Sequence, residues 1–117
     1  MSAEHEAVVV AFNAAINRRD LSALARLMDE GNRFIDKLGN SVDGKPACVK
    51  AWRGFFDTFP DYKNIFDDLE STRDGVVTAR GRSECTAPDL VGPASWRAVV
   101  LRGLVLEWQV SDDLTRA

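Results

Sequence analysis

Asp36 has the type and surroundings best suited to acid–base chemistry in this chain. It sits in the run Phe34-Ile35-Asp36-Lys37. Alternation over Arg33 to Leu38 puts Phe34, Asp36 and Leu38 on one face and Ile35 on the other. An acid among apolar neighbours either lines a cavity or sits at a sheet margin as an edge or capping group. Burial without a partner would raise its pKa toward the range of a general base, whereas a nearby arginine would keep it ionised. Arg97 is such a cation, able to pair with Asp36 or Glu107 or to hold an anionic ligand.

Other reactive groups are few. His5 is the only histidine and lies near the start of the chain. It cannot supply a His-rich metal site, an internal His-Asp dyad or a well-placed Ser-His-Asp triad. No spaced carboxylate loop of the calcium-binding type is present. Cys48 and Cys85 read as free, buried thiols of a reducing cytoplasm, with no second histidine to activate either. No metal or cofactor is expected.

The elements that must position these groups follow from periodicity. Glu4 to Arg18 places Val8, Ala11, Phe12, Ala15 and Ile16 on one helical face. Asp20 is an N-cap for a second helix with Leu21, Leu24, Leu27 and Met28 inward. A strand over Asn32 to Leu38 follows, then turns at Gly39-Asn40 and Asp43-Gly44. Lys45-Pro46 opens a third helix carrying Val49, Trp52, Phe55, Phe56 and Phe59, which Phe59-Pro60 ends. Strands are expected at Lys63–Thr72, Val76–Thr86, Trp96–Arg102 and Leu104–Ser111. The fold class is α+β, with helices first and an antiparallel sheet after.

With 117 residues, the chain is one domain, residues 1–117. Its 45% hydrophobic and 28% charged residues are an ordinary globular balance. A net charge of −3 argues against a nucleic-acid surface. The longest apolar runs, such as Ala7 to Phe12, cannot span a membrane. The polar start Met-Ser-Ala-Glu-His-Glu is no secretory signal, and the expected location is cytoplasmic.

The order of segments resembles the nuclear transport factor 2-like superfamily, in its SnoaL-like and ketosteroid-isomerase-like branch. The matching pieces are Val8 to Asn17, Asp20 to Leu24, Phe34-Ile35-Asp36, Gly44-Lys45-Pro46-Ala47, Phe55 to Asp61, and Leu104 to Trp108 with Asp112. The resemblance implies three helices packed in a curved antiparallel sheet that forms a conical pocket, and frequent dimers through the outer face of the sheet. It places Asp36 where ketosteroid isomerases keep their general base. It puts Phe12 and Val99 where they keep two oxyanion donors, and neither can donate to an enolate. One such donor is worth about 3–4 kcal/mol, so an ordinary ketosteroid isomerase is not expected. Histidines of the scytalone-dehydratase type are missing, and Gln109 stands in place of an epoxide-hydrolase acid. Glu107 or Asp112 could supply a cyclase-like acidic wall.

Strand faces are ambiguous. The family register turns Arg80, Arg97, Val99, Glu107 and Gln109 inward. Hydrophobicity alone buries Leu106, Trp108 and Val110 instead, and reads Arg80, Arg82 and Glu84 as a solvated face. Both could hold if the outer face is a homodimer interface anchored by Trp96 and Trp108. Trp52, Phe55, Phe56 and Phe12 would wall the pocket. The expected function is binding of a small apolar molecule. Catalysis would be a cofactor-free isomerase, cyclase or hydratase step with Asp36 as base. The alternative is a non-catalytic ligand-binding or protein-interaction domain.

Overall fold

The computed structural model describes residues 2–72 and 74–112, and the side chains of residues 3–72 and 74–111. Helix α1 spans Ser2–Arg18 and buries Val9, Phe12, Ala15 and Ile16 at helical spacing. Arg19 takes a left-handed φ of 55° and stops it. Helix α2, Leu21–Arg26, is capped as expected: Ala23 N donates to Asp20 Oδ1 at 3.0 Å. Helix α3, Lys45–Thr58, carries Pro46 in its first turn. Its Cys48, Trp52 and Phe56 are buried at four-residue spacing.

Six strands form one sheet: β1 Met28–Ile35, β2 Ser41–Asp43, β3 Lys63–Ser71, β4 Val76–Glu84, β5 Gly92–Leu101 and β6 Leu104–Asp112. Their order is β2-β1-β6-β5-β4-β3. A short 3-10 turn, Pro88–Leu90, precedes β5. β1 starts at Met28 rather than Asn32 and stops at Ile35, which leaves Asp36 in the following turn. β5 starts at Gly92 rather than Trp96.

The sheet is not antiparallel throughout. β1 and β6 run parallel, with Phe34 opposite Trp108 and Ile35 opposite Gln109. Parallel neighbours need a long crossover, and everything from β2 to β5 lies between these two strands. The joint is irregular, and Asn32 Nδ2 bridges it to Val105 O at 2.7 Å. A register shift also falls between Val99 and Val100 in the β5–β6 pairing. Leu106 is the extra residue there, so Val105 and Trp108 both end up buried.

These registers decide the faces. Val77, Ala79 and Ser83 of β4, Ala94, Trp96, Ala98 and Val100 of β5, and Trp108 of β6 are buried against the helices. Arg80 and Arg97 are exposed on the opposite side, with Val99, Glu107 and Gln109 half-buried in the same outer register. The expectation that Arg80, Arg97, Val99, Glu107 and Gln109 point into the pocket is therefore overturned. The physical reason is that a one-residue slip exchanges the two faces of a strand. Arg97 Nη1 instead donates to Glu107 Oε2 at 2.8 Å across the outer face, and Arg80 meets Asp68 at 3.7 Å. Such solvated pairs contribute about 0–1 kcal/mol each.

Trp96 and Trp108, the expected anchors of an outer-face dimer, are also on the inner side and fully buried. Cys85 is partly exposed rather than buried, and its thiol donates to Asp61 Oδ1 at 3.3 Å. Cys48 is buried, and desolvation raises its pKa against a smaller lowering by the Phe34 backbone. No helix is long and apolar enough to cross a membrane among the described residues.

Candidate functional site

Between α3, the β1–β2 turn and the inner face of the sheet lies a cavity of about 370 Å³. Its wall is largely aromatic: Phe34 of β1, Trp52 and Phe55 of α3, Tyr62 before β3, Trp96 of β5 and Trp108 of β6. The α3 residues reach it because Trp52 and Phe55 straddle the edge of the buried helical stripe. Trp52 is the hub of this side, edge-on to Phe34 with ring centres 5.4 Å apart and to Phe55 at 5.7 Å. Phe55 in turn meets Tyr62 edge-on at 4.8 Å. The mouth opens beside Leu38, which is 87% exposed.

Asp36 lines the cavity and also takes the capping role that the sequence left as the alternative. Its Oδ1 accepts from Leu38 N and Asn40 N, both at 2.9 Å, and its Oδ2 accepts from Asn40 Nδ2 at 3.4 Å. Partial desolvation pushes its pKa up, but the hydrogen bonds from Asn40, Leu38 and Gly39 together outweigh this. The net shift is below the ordinary value of 3.8. The Asp36–Arg97 pair is absent, since Arg97 lies on the other side of the sheet and is held by Glu107.

Of the other expected wall residues, Trp52 and Phe55 line the cavity. Phe56 and Phe12 do not; both belong to the core beneath it, Phe12 packed on Trp108 with ring centres 4.6 Å apart. The side chain of Asp112 lies outside the described residues. No group of three His, Cys, Asp or Glu residues able to hold a metal occurs among the described residues.

The polar part of the wall is a set that sequence reasoning missed. Tyr62 Oη and Ser83 Oγ are 3.2 Å apart, and Ser83 Oγ donates to Asn64 Oδ1 at 3.1 Å. All three side chains line the cavity, yet Asn64 is 2% and Ser83 3% exposed. Helix α1 fixes this corner. Asn13 Nδ2 and Asn17 Nδ2 donate to Asn64 O at 3.2 and 2.9 Å, and Asn64 N donates to Asn17 Oδ1 at 2.8 Å. Burial pushes the Tyr62 pKa up, with the Ser83 and Asn64 contacts opposing, so the phenol stays neutral at physiological pH. The available signal was parity: Ser83 shares a face with Ala79 and Gly81, opposite the charged Arg80, Arg82 and Glu84.

The SnoaL-like domain model matches residues 9–115, nearly the whole chain. The chain belongs to the SnoaL-like domain family. No curated protein matches this sequence. Among solved structures, a putative polyketide cyclase from Xanthomonas campestris pv. campestris is similar at 18% identity and a TM-score of 0.80, over 97% of this chain and 93% of that one. An uncharacterized cystatin fold protein from Novosphingobium aromaticivorans is 19% identical at a TM-score of 0.76, over 94% and 97%. An NTF2-like protein of unknown function from Cytophaga hutchinsonii is 14% identical at 0.76, over 93% and 89%. Likeness at such identities shows the fold, and this SnoaL-like domain shares it.

Proposed function

We propose that this SnoaL-like domain binds an apolar, ring-bearing small molecule in the aromatic cavity. The observation that carries the reading is the wall itself. Five aromatic rings from β1, α3, β5 and β6, joined by one buried polar corner, are the composition of a pocket for a mainly apolar ligand. Fold neighbours described as putative polyketide cyclases are consistent with a small-molecule ligand.

A plug tests it. Ala51 is exposed and lines the cavity, so Ala51→Trp fills the space without touching the core. Titration with anilinonaphthalene sulfonate, read by fluorescence, should show binding to the wild type that Ala51→Trp weakens by about tenfold or more. The thermal midpoint should stay the same. Equal binding by both proteins would mean that the probe sits elsewhere.

One observation favours a second reading: Asp36 stands on the cavity wall, where it could abstract a proton from a bound ketone. Its three accepted hydrogen bonds and lowered pKa oppose this, because they stabilise the carboxylate and weaken it as a base. Exchange of the α-protons of 2-tetralone in deuterium oxide, followed by NMR, separates the two. Under the catalytic reading the wild type accelerates exchange over buffer. Asp36→Asn, which keeps an acceptor for the turn, does not. Equal exchange by the two proteins removes Asp36 as base.

A further inference from the structure

The buried polar corner has a composition that selects among ligands. Ser83 has one hydroxyl proton, and when it goes to Asn64 Oδ1, Tyr62 must donate to Ser83. The chain then runs Tyr62 to Ser83 to Asn64. Its two ends are a Tyr62 oxygen with a lone pair to spare and an Asn64 Nδ2 that makes no hydrogen bond among the described residues. Turning the Asn64 amide over reverses the chain. Asn64 Nδ2 then donates to Ser83, Ser83 to Tyr62, and the ends become a Tyr62 O–H donor and an Asn64 Oδ1 acceptor. Either direction presents one donor and one acceptor on an apolar wall.

The corner is held in place. Asn64 is gripped through its backbone by Asn13 and Asn17, and Tyr62 is pinned by Phe55 and by Arg19 Nη1, which donates to Tyr62 O at 2.9 Å. Three polar side chains kept this buried at a cavity wall are costly to leave half-satisfied. The hydrogen-bonding partner that satisfies both ends in both directions is a hydroxyl, which donates and accepts at once. A ketone or an ether accepts only.

We propose that Tyr62, Ser83 and Asn64 form a recognition site for a hydroxyl group on the bound ring molecule, a phenol or a ring alcohol. This rests on the reading of the cavity as a ligand pocket. The site discriminates against the matching ether and hydrocarbon, because each of them, once it covers the corner, leaves at least one cavity-facing end of the chain without a partner.

Three probes of matched shape test it with the full chain: 2-naphthol, 2-methoxynaphthalene and naphthalene, each titrated by calorimetry. Two good hydrogen bonds correspond to a preference of about tenfold or more for 2-naphthol over the other two. In Tyr62→Phe and in Ser83→Ala the preference for 2-naphthol should fall to about twofold. Thermal unfolding of both variants checks that they fold, and Ser83→Ala serves if Tyr62→Phe does not. Equal binding of the three probes by the wild type overturns the hydroxyl site and leaves the ligand pocket standing. A 2-naphthol preference that survives in the folded variants overturns it as well. Failure of all three probes to bind the wild type overturns the pocket reading, and the hydroxyl site with it.

Discussion

Gly81→Ala is expected to cost more than about 3 kcal/mol of stability, beyond the usual range for an added methyl group in a packed region. A Cβ at Gly81 would collide with Ile65 O and stand 2.9 Å from Ile65 C. Both contacts are backbone, so no side chain can swing aside. Gly81 pairs with Phe66 beside the irregularity between Phe66 and Asp68, where β3 bends toward β4. The damage should reach the cavity. Phe66 packs on Trp96 with ring centres 5.0 Å apart and on Trp108 at 6.4 Å, and both tryptophans are cavity wall. Urea denaturation provides the measurement. Gly54→Ala is the control, because it lies in α3 with nothing within 4 Å of the added carbon, and it should be stabilised by about 0.5–1 kcal/mol. A Gly81→Ala protein within 1 kcal/mol of wild type would mean that β3 and β4 do not approach this closely.

Trp108→Ala is expected to cost about 3–5 kcal/mol. Trp108 is 1% exposed and packs between Phe12 of α1 and Phe66 of β3, so its removal leaves a void bounded by a helix and two strands. Against the 5–15 kcal/mol typical of a domain, that is a large share of the total. The same measurement decides which face of β6 is inside. A tryptophan on the outer face of a monomer would cost under about 1 kcal/mol when truncated. Trp108→Phe should recover part of the loss, since a ring of smaller area still meets Phe12.

Much of the fold was legible in the sequence because its signals are local. The Asp20 cap, the Pro46 start of α3 and the stop at Phe59-Pro60 each follow from the chemistry of one or two residues. The helical stripes of α1 and α3 were readable for the same reason, since a 3.6-residue period is a property of contiguous chain. Asp36 was legible as either a cavity-wall residue or an edge or capping acid, but the turn it would cap was not. Its partners Leu38 and Asn40 were read as the end of a strand and a turn signal, and the early end of β1 at Ile35 placed all three in one turn.

The strand faces were harder. Hydrophobic alternation pointed to Leu106, Trp108 and Val110 as the inner set; Trp108 is buried, but the irregularity at Leu106 buries Val105 in its place. The register implied by resemblance pointed to Arg97, Val99, Glu107 and Gln109, and it does not hold. Side chains alternate with a period of two, so an inference shifted by one residue inverts every position at once. The site residues Tyr62, Asn64 and Ser83 were hidden for a related reason. Each is an unremarkable residue in its own segment, and the hydrogen bonds that make them a unit cross from the start of β3 to β4.

What the sequence determined by itself is the order of the three helices and of five of the six strands among the described residues, the α+β class and the presence of an aromatic helix facing the sheet. All of these rest on interactions within a few residues of chain. The tertiary structure alone decided that β1 joins β6 in parallel, that Leu106 is an extra residue, that Arg97 turns to Glu107 on the outer face, and that a neutral tyrosine, a serine and an asparagine meet at the wall of the cavity. Those are facts of register between paired strands. No local propensity encodes them, because the partner that sets each one lies on another element.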